Sequence, residues 1–584
     1  MSAAAGSGKT AVLTERAVRL LCEGAGSGGP VPADRLLIVT FTNAAAAEMR
    51  ARISQRLYEE QLQNPAGPAR RQRMLLQRAP ICTIDAFCLD LLQKHFSALD
   101  IPPDFLPADE GSLFALRQEV LAGVLEAAYT DPDFCAFADL YGRSRTDAAA
   151  GQAVLEVYDF LRALPDPMGA LDGFCAAWAG DAPLEATPWG VALFKAARRT
   201  AGYARRLADM ALAACARHAA LAAYLPALES DAAALAGLEA ALAGGRWQQA
   251  YDAAHGFAFA RLAALRGAGE ADRARAEEVK ALRERAKKLV AELQKEVFVC
   301  TGAEFEADRA AAAPLAAALG RAVQAFDKAY FAAKLEKKLL EFSDFEHLAL
   351  RLLQSPNGAR TPLAEQVSAG FAAVMVDEYQ DTNALQDALY RCLARPDGSN
   401  LFLVGDVKQS IYRFRQADPG VFLQKLDRFI PLGEGWPARL ALDANFRSAP
   451  EVIRAVNFFF GRLMSRRLGG VEYGPGQRLV PGGDAGGYAG CAGLLLAQSG
   501  EAAGDAGPIA ARIRRMVDEG FLVRAKDGSS RPARYEDFCI LLRARSHFEQ
   551  YAAALGAEGI PSCADTAGNL LEEGHIRPLA ALLR

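Results

Sequence analysis

The chain has 584 residues, of which 51% are hydrophobic and 23% are charged, a composition typical of a folded globular protein. At about 150 residues per domain, this length predicts about four domains. The 66 Lys and Arg residues nearly balance the 70 Asp and Glu residues, so the net charge of −4 excludes a globally basic surface for nucleic acid. Any site for a polyanion must therefore be local.

The 11 cysteines are scattered and include no C-x-x-C pair, which is typical of a reduced protein without a zinc or iron–sulfur site. No apolar run reaches the roughly 18 residues that a membrane-spanning helix needs. No basic-then-apolar leader precedes Gly6. These features predict a cytoplasmic protein with no membrane partner.

Residues 3–10, A-A-A-G-S-G-K-T, match the G-K-T end of a phosphate-binding loop, with Ala3 in the place of the usual first glycine. Small residues let consecutive backbone N–H groups curl around phosphate oxygens at the start of a helix. Lys9 would neutralise the β- and γ-phosphates of ATP, and the Thr10 hydroxyl would bind Mg²⁺. Such a loop usually follows a strand, whereas only Met1 and Ser2 precede this one, and the alternative is a small-residue terminus without function. The predicted cofactor-binding residues are Ala3, Ala4, Ala5, Gly6, Ser7, Gly8, Lys9 and Thr10.

Residues 110–340 are rich in Ala and Arg and poor in β-branched residues, which predicts a helical insertion. A long helix with an apolar seam is expected within it, because hydrophobic side chains alternate at spacings of three and four among charged ones. Packing on a neighbouring helix of the same chain is favoured over a coiled coil between two chains. The seam residues are Val279, Leu282, Ala286, Leu289 and Leu293.

A buried strand at Val374–Val376 ends in two carboxylates, Asp377 and Glu378. At the carboxyl end of such a strand, Asp377 would enter the Mg²⁺ shell, and Glu378 would orient and deprotonate an attacking water. A D-E pair after a strand can also be an ordinary helix N-cap. The phosphate-binding loop upstream favours the catalytic interpretation.

Two further polar residues are candidates for contact with the nucleotide. The strand Leu401–Val404 ends near Gln409, a neutral donor suited to sensing a γ-phosphate. Arg447 stands at the start of a predicted helix in N-F-R-S (445–448) and is a candidate arginine finger. Both would act with Lys9 and the two carboxylates in catalysis.

The architecture follows from four short apolar runs, each followed by a turn and then by helical periodicity. A doubly wound α/β core, with a parallel sheet and helices on both faces, is the arrangement that this alternation favours. Residues 469–507 are rich in Gly and predict a loop with at most one short strand, at Leu494–Leu496. The four predicted parallel strands are Leu36–Thr40, Val374–Val376, Leu401–Val404 and Phe538–Leu542.

The order of the motifs resembles that of superfamily-one DNA helicases of the UvrD/RecB class, and in particular helicase–nuclease proteins of the AddA type. Two features favour the AddA type. The long separation of Asp85 from Asp377 leaves room for a helical arm, and Phe414 stands where the UvrD type usually has Trp. The segments that carry the resemblance are A-A-A-G-S-G-K-T (3–10), V-T-F-T-N-A-A-A-A-E-M-R (39–50), I-C-T-I-D-A-F-C (81–88), V-D-E-Y-Q-D-T-N (376–383), V-G-D-V-K-Q-S-I-Y-R-F-R (404–415), N-F-R-S (445–448), Y-E-D-F-C-I-L-L-R (535–543) and G-I-P-S-C-A-D (559–565).

The resemblance implies an α/β fold of RecA-like P-loop NTPase lobes with a large all-α insertion. Residues 1–108 and 341–445 would form the ATP-binding lobe, 109–340 the arm, and 446–584 the start of a second lobe. It implies ATP-dependent movement on DNA with 3′→5′ polarity, in double-strand break repair and recombination. The cofactors would be ATP and Mg²⁺. The partners would be single-stranded and duplex DNA ends and a protein of the AddB type.

The resemblance also implies a site for single-stranded DNA. Aromatic rings stack on bases of any sequence and hydroxyl groups donate to phosphates, so such contacts tolerate any sequence. Asp85 stands where the family more commonly has His, and a carboxylate repels a phosphate backbone. As an alternative, residues 412–415 form a half-buried strand whose arginines pair with carboxylates. The residues assigned to DNA are Thr40, Phe41, Thr42, Asn43, Thr83, Phe87, Tyr412, Arg413, Phe414 and Arg415.

Several motifs of the family are not found in the sequence: those expected before residue 3, the later helicase motifs and the nuclease domain. The chain is therefore expected to be the front portion of a longer protein. Two alternatives stay open. The chain could belong to a stand-alone UvrD/Rep-type repair helicase, or it could be a DNA-binding fragment without ATP turnover.

Overall fold

The chain divides by its packing into two compact units. The first comprises Met1–Ile84, Glu365–Asn383 and Tyr390–Arg584, and the second comprises Asp85–Ala364 and Ala384–Leu389. The predicted boundaries at residues 108, 340 and 445 follow the positions of motifs and stay a prediction. The structure is a computed structural model that describes residues 1–24, 28–142, 148–265, 269–466, 468–482, 492–495, 504–524 and 529–563.

The strands are short and most of them pair in parallel. A four-stranded parallel sheet of order β3-β2-β6-β7 forms the centre of the first unit. The strands are β1 (Ser2–Ala3), β2 (Leu36–Val39), β3 (Ile81–Cys82), β4 (Leu106–Pro107), β5 (Leu339–Leu340), β6 (Ala373–Val376), β7 (Leu401–Leu403), β8 (Ile430–Pro431), β9 (Ala438–Arg439), β10 (Ala441–Leu442), β11 (Ala444–Asn445), β12 (Val480–Pro481), β13 (Leu522–Arg524) and β14 (Ser530–Pro532).

Helices make up most of the remaining regular structure. Between residues 110 and 336 the regular structure of the described residues is helical and includes no strand, so the helical character predicted for this region is confirmed. The helices are α1 (Lys9–Cys22), α2 (Asn43–Gln63), α3 (Ala69–Leu75), α4 (Ile84–His95), α5 (Glu110–Ala128), α6 (Pro132–Tyr141), α7 (Ala148–Leu161), α8 (Pro167–Ala179), α9 (Pro188–Ala216), α10 (Leu225–Ala243), α11 (Trp247–His255), α12 (Glu270–Glu292), α13 (Gly302–Glu336), α14 (Phe342–Leu353), α15 (Pro362–Gly370), α16 (Ala384–Leu393), α17 (Pro419–Arg428), α18 (Pro450–Leu463), α19 (Ala506–Asp518) and α20 (Phe548–Ala557).

Three of the four predicted parallel strands are confirmed, as β2, β6 and β7. The fourth, Phe538–Leu542, is wrong, because these residues form no strand. An apolar run becomes a strand only where a neighbouring strand accepts its ladder hydrogen bonds. Here Phe538 and Ile540 instead line a cavity with Ile513 of α19 and Tyr551 of α20. Residues 492–495 are irregular, and residue 496 of the other predicted strand lies outside the described residues.

A strand does precede the phosphate-binding loop, although only two residues were available for it. Ser2 and Ala3 form β1, which pairs in parallel with β10. On its other side, the Ala3 N–H donates to the Gly405 carbonyl oxygen at 2.9 Å. The loop that follows β1 is therefore anchored between the segment after β7 and β10.

The core of the first unit lies between the sheet and the helices α1 and α2. Leu13 and Leu21 of α1 and Ile53 of α2 are completely buried against Ile38 and Met375 of the sheet. Each such side chain contributes about 1.5–3 kcal/mol by leaving water. This packing fixes α1, and with it the loop at its N-terminus, relative to the carboxyl ends of the strands.

The second unit is mostly helical, and its described residues include one apolar core around α13 and two along α9 and α12. Helix α12 packs on α9 of the same chain, as the sequence predicts. Its buried face includes Val279 and Ala286 but also Arg283, whose Nε lies 2.6 Å from Asp231 Oδ2. Among the described residues, no helix is long and apolar enough to cross a membrane.

Buried charges also stabilise the connection between α13 and α14. The Lys334 side chain is 0% exposed, and its Nζ lies 2.9 Å from Glu341 Oε1 and 2.6 Å from Asp344 Oδ2. Arg162 adds a second ion pair to Asp344 at 2.9 Å. A buried charge is stable only with such partners, so this cluster holds α7, α13 and α14 together.

We expect Glu346 to make the stability of the second unit depend on pH. Burial, reinforced by the Asp85 carboxylate, raises the pKa of Glu346 to about 8, and its Oε1 accepts a hydrogen bond from Gln386 Nε2 at 2.7 Å. Between pH 5 and 8 the unfolded chain releases this proton while the folded chain keeps it. The free energy of unfolding should then fall as pH rises, by up to about 1.4 kcal/mol per pH unit.

Glu346→Gln should remove the contribution of Glu346 to this slope, since the amide keeps the acceptor and carries no titrating proton. Urea unfolding of both proteins across this pH range measures the difference between them. Parallel pH dependences for the two proteins would contradict the assignment.

Candidate nucleotide-binding site and nucleic-acid surface

The loop between β1 and α1 has the conformation that an anion-binding turn requires. Gly6 and Gly8 adopt φ angles of +67° and +84°, which side chains with a Cβ rarely adopt. The first N–H groups of α1 have no partner within the helix and point toward the loop. The Ser7 hydroxyl is buried and has no hydrogen-bond partner among the described residues. The loop thus offers donors for phosphate oxygens.

The predicted arginine-finger motif lies directly on this loop. Asn445 Nδ2 donates to the Ala5 carbonyl oxygen at 2.7 Å, and the Phe446 N–H donates to the Gly6 carbonyl oxygen at 2.9 Å. Asn445 Oδ1 in turn accepts from the Arg447 N–H at 2.9 Å. Asn445 therefore positions Arg447 beside the loop, a function that the sequence motif alone did not reveal.

Lys9 and the two predicted carboxylates also come together at the carboxyl end of β6. Lys9 Nζ lies 3.0 Å from Glu378 Oε2. The Glu378 N–H donates to Asp377 Oδ1 at 3.0 Å. Glu378 has a φ angle of +48°, an uncommon conformation for a residue other than glycine, which turns its carboxylate toward Lys9. The lysine of the loop is thus paired with the residue predicted to be the general base.

The site carries more negative than positive charge. Burial, reinforced by Glu378, raises the pKa of Asp377 to about 6. The same two causes raise the pKa of Asp381 to about 6, and its Oδ1 has no hydrogen-bond partner among the described residues. Three carboxylates therefore share Lys9, an arrangement that favours the binding of a further cation.

The two predicted Mg²⁺ ligands, Thr10 and Asp377, lie in the first turn of α1 and directly after β6. Within the described part of the chain, no group of three His, Cys, Asp or Glu side chains could hold a metal ion. Mg²⁺ is usually bound by one or two carboxylates together with water and substrate phosphates. A hydroxyl in the first turn of α1 and one carboxylate at the end of β6 are consistent with that ligand set.

Gln409 is connected to this site through two residues that sequence reasoning missed. Gln409 Nε2 donates to Asp406 Oδ2 at 2.7 Å. The Asp406 N–H donates to Gln380 Oε1 at 2.9 Å, and Gln380 Nε2 donates to Glu378 Oε2 at 2.8 Å. Gln380 belongs to the segment 376–383 and Asp406 to the segment 404–415. Only the fold shows that these two residues connect the two segments by a hydrogen bond.

Three of the four aromatic residues predicted to contact DNA form one cluster, in which Phe414 is exposed and Phe41 and Tyr412 are half-buried. The ring centroids of Phe41 and Tyr412 are 4.6 Å apart, and those of Tyr412 and Phe414 are 5.7 Å apart. The Arg415 guanidinium lies 5.5 Å and 5.8 Å from the Tyr412 and Phe414 centroids. Residues 413–415 form an exposed 3₁₀ turn rather than a half-buried strand, and Arg413 is exposed in it. We call Phe41, Tyr412, Phe414 and Arg415 the aromatic cluster.

The other residues predicted to contact DNA are placed differently. Thr40 is buried and its hydroxyl donates to the Thr42 carbonyl oxygen at 3.0 Å, while the Thr42 hydroxyl caps α2. Asn43 is the exposed first residue of α2, and Thr83 is half-buried just before α4. Phe87 is only 7% exposed, and a ring packed in the interior presents no face to a base. The structure therefore does not support a DNA contact by Phe87.

Comparison with known proteins places these features in one family. The model of the UvrD/REP helicase N-terminal domain matches residues 1–430. The A subunits of the ATP-dependent helicase/nuclease of Geobacillus kaustophilus (strain HTA426) and of Pelotomaculum thermopropionicum are 35% and 34% identical; each alignment covers 100% of this chain, and 49% and 50% of the respective relative. The corresponding protein of Heliobacterium modesticaldum is 38% identical over 82% of this chain and 37% of the relative. The chain thus spans about half the length, or less, of these curated relatives.

Two alanine substitutions should distinguish the two glycines of the loop. A Cβ at Gly6 would lie 2.8 Å from Asn445 Nδ2 and 2.9 Å from Arg447 Cβ, whereas a Cβ at Gly8 would meet nothing nearer than Ala11 Cβ at 3.8 Å. Both changes impose a left-handed conformation, at a cost of about 1–2 kcal/mol. Gly6→Ala should destabilise the protein further, because it also displaces the N-F-R-S motif.

Urea unfolding of the two variants measures this difference. Gly8→Ala serves as the matched control, since it has the same backbone strain without the collision. Equal losses of stability in both variants would contradict the close packing of residues 445–447 on the loop.

Proposed function

The chain belongs to the UvrD/REP helicase family, and from this premise we propose that it hydrolyses ATP to move along DNA as part of a helicase–nuclease. The observation that carries the proposal is the pairing of Lys9 with Glu378 at 3.0 Å beside the phosphate-binding loop. Hydrogen bonds link this pair to Gln409, which lies shortly before the aromatic cluster in the chain. The fold would be RecA-like. Residues 1–108 and 341–445 would form one lobe, 109–340 an arm, and 446–584 the start of a second lobe.

The relatives that the chain matches are named as A subunits of an ATP-dependent helicase/nuclease. By analogy, the protein would act on single-stranded and duplex DNA ends in the cytoplasm, in double-strand break repair and recombination. Its protein partner would be of the AddB type, and its polarity 3′→5′.

The residues of the site would divide the chemistry of ATP hydrolysis among them. The loop N–H groups and Lys9 would bind the phosphates, so Lys9 would exchange Glu378 for the β- and γ-phosphate oxygens. Glu378, released from Lys9, would then accept the proton of the attacking water. Arg447, held beside the loop by Asn445, would stabilise the charge that develops on the γ-phosphate. Thr10 and Asp377 would hold Mg²⁺, which neutralises phosphate oxygens when bound.

Coupling to DNA would follow from the short distance along the chain between Gln409 and the aromatic cluster. Only Ser410 and Ile411 separate Gln409 from Tyr412. A change in what Gln409 binds would therefore shift the Tyr412 and Phe414 rings on which bases stack. The aromatic cluster would tolerate any base, because every base offers a π face.

We expect Glu378→Gln to separate ATP binding from ATP turnover. The amide keeps the size of the side chain but accepts no proton, so turnover with single-stranded DNA should fall by about 100-fold or more. ATP affinity, measured by titration with a fluorescent analogue, should be retained. Glu365→Gln, which changes an exposed carboxylate of α15, is the matched control. Unchanged turnover in Glu378→Gln would contradict its assignment as the base.

A second expectation concerns Phe414, whose side chain is 75% exposed in the aromatic cluster. Loss of one stacking ring costs about 1–3 kcal/mol per base, so Phe414→Ala should weaken binding of an oligothymidylate roughly 5- to 150-fold. Phe114→Ala removes a similarly exposed ring, 67% exposed, from α5 of the second unit. Fluorescence anisotropy compares the two variants. Equal affinities would show that the aromatic cluster does not bind DNA.

The same measurements decide between the proposal and a chain that binds DNA without turnover. Salt-sensitive binding of single-stranded DNA, together with no ATP hydrolysis by the unmodified chain, would favour that alternative.

A further inference from the structure

The carboxylate of Asp406 lies at the centre of a small buried cluster after β7. The Asp406 side chain is 1% exposed. Its Oδ2 accepts the hydrogen bond from Gln409 Nε2 at 2.7 Å, and its Oδ1 accepts from Lys408 Nζ at 2.8 Å. The Lys408 N–H also donates to Oδ1, at 3.2 Å. One carboxylate thus holds two neighbouring side chains, one neutral and one charged.

Lys408 has a second partner in a distant part of the first unit. Its Nζ lies 3.1 Å from Gln477 Oε1, and the Lys408 side chain is 11% exposed. Gln477 ends a 3₁₀ turn that leads into β12, which pairs with β11 through Ala444 and Val480. Strand β11 contains Asn445, which binds the phosphate-binding loop. Lys408 therefore links the segment after β7 to the segment that supports the loop.

Lys408 and Gln409, the two side chains bound to Asp406, differ in charge and therefore in function. A buried carboxylate is strongly destabilising unless a cation neutralises it, and the neutral amide of Gln409 cannot do so. Lys408 supplies that charge. Because Lys408 holds Oδ1, Gln409 can leave Oδ2 while Asp406 keeps an ion pair and a backbone donor. Without Lys408, the anionic carboxylate would retain its remaining side-chain donor, Gln409, more strongly.

We propose that Lys408 is a positioning residue for ATP hydrolysis: it neutralises Asp406 so that Gln409 can exchange this carboxylate for the γ-phosphate. The hydrogen bond to Gln477 helps to hold the Lys408 ammonium group beside Asp406. The inference rests on the proposed function, since it concerns the rate of the same reaction. Lys408 touches neither the nucleotide nor DNA in this role and acts only through Asp406 and Gln409.

The test is steady-state ATP hydrolysis by the full chain, with oligothymidylate present, for the unmodified protein and four variants. Lys408→Met keeps an unbranched side chain that is one atom shorter, and it removes the charge. It should lower kcat at least about tenfold and leave KM for ATP within about threefold, because the contacts that bind ATP are intact. Lys408→Arg should restore most of kcat, since the guanidinium again neutralises Asp406. Lys280→Met, which breaks an exposed pair with Glu277 in α12, is the matched control.

The fourth variant combines Asp406→Asn with Lys408→Met. Its neutral amide needs no cation, so kcat should recover to within about threefold of the unmodified protein. Such a recovery would isolate the interaction between Asp406 and Lys408. If Lys408→Met alone fails to fold, the double variant and Lys408→Arg still test the proposal. Recovery of kcat in both variants supports it.

Three results would overturn it. Unchanged kcat in Lys408→Met would show that the charge is not needed, and a parallel rise in KM would show that Lys408 acts on binding. A double variant as slow as Lys408→Met would show that the Asp406 charge is not the cause. Absence of turnover in the unmodified chain is distinguishable from all three, and it would overturn the proposed function and this inference with it.

Discussion

Three carboxylates at the carboxyl end of β6 share one lysine, and the rest of the site depends on that imbalance. Burial keeps Asp377 and Asp381 from ionising easily, while Lys9 pairs with Glu378. One lysine does not neutralise three carboxylates, so the arrangement favours the binding of a further cation. It also keeps the lysine and the proposed base engaged with each other. Under the proposed function, phosphate groups would separate that pair and place each side chain in its working position.

The site also includes a series of hydrogen bonds that extends beyond Lys9 and the three carboxylates. From Lys9, hydrogen bonds run through Glu378 and Gln380 to the segment after β7, and from there through Asp406 and Lys408 to Gln477. Each link is a charged or amide group, and the loss of a partner is most costly at Asp406, whose side chain is buried. In the proposed motor, this series would connect the nucleotide to the aromatic cluster and to the N-F-R-S motif.

Much of the first unit could be predicted from the sequence, because its strands are apolar runs between turns and its motifs are local. The remaining features depend on contacts with distant parts of the chain, which the local sequence does not reveal. Phe538–Leu542 has the composition of a strand but no neighbour to pair with, whereas Ser2–Ala3 form one because β10 and Gly405 supply partners. Periodicity located the long helix α12 but not Arg283, which is buried in its seam by an ion pair. The site follows the same rule: the motif residues were predictable, but the roles of Asn445 and Asp406 depend on contacts between distant segments.

The central claim is that the paired lysine and carboxylate belong to a motor whose turnover DNA controls. The most direct measurement is the rate of ATP hydrolysis by the 584-residue chain, with and without single-stranded DNA. We expect slow hydrolysis without DNA and a marked rise in kcat that saturates as DNA occupies the aromatic cluster. A rate that DNA leaves unchanged, over concentrations at which DNA is bound, would contradict this claim.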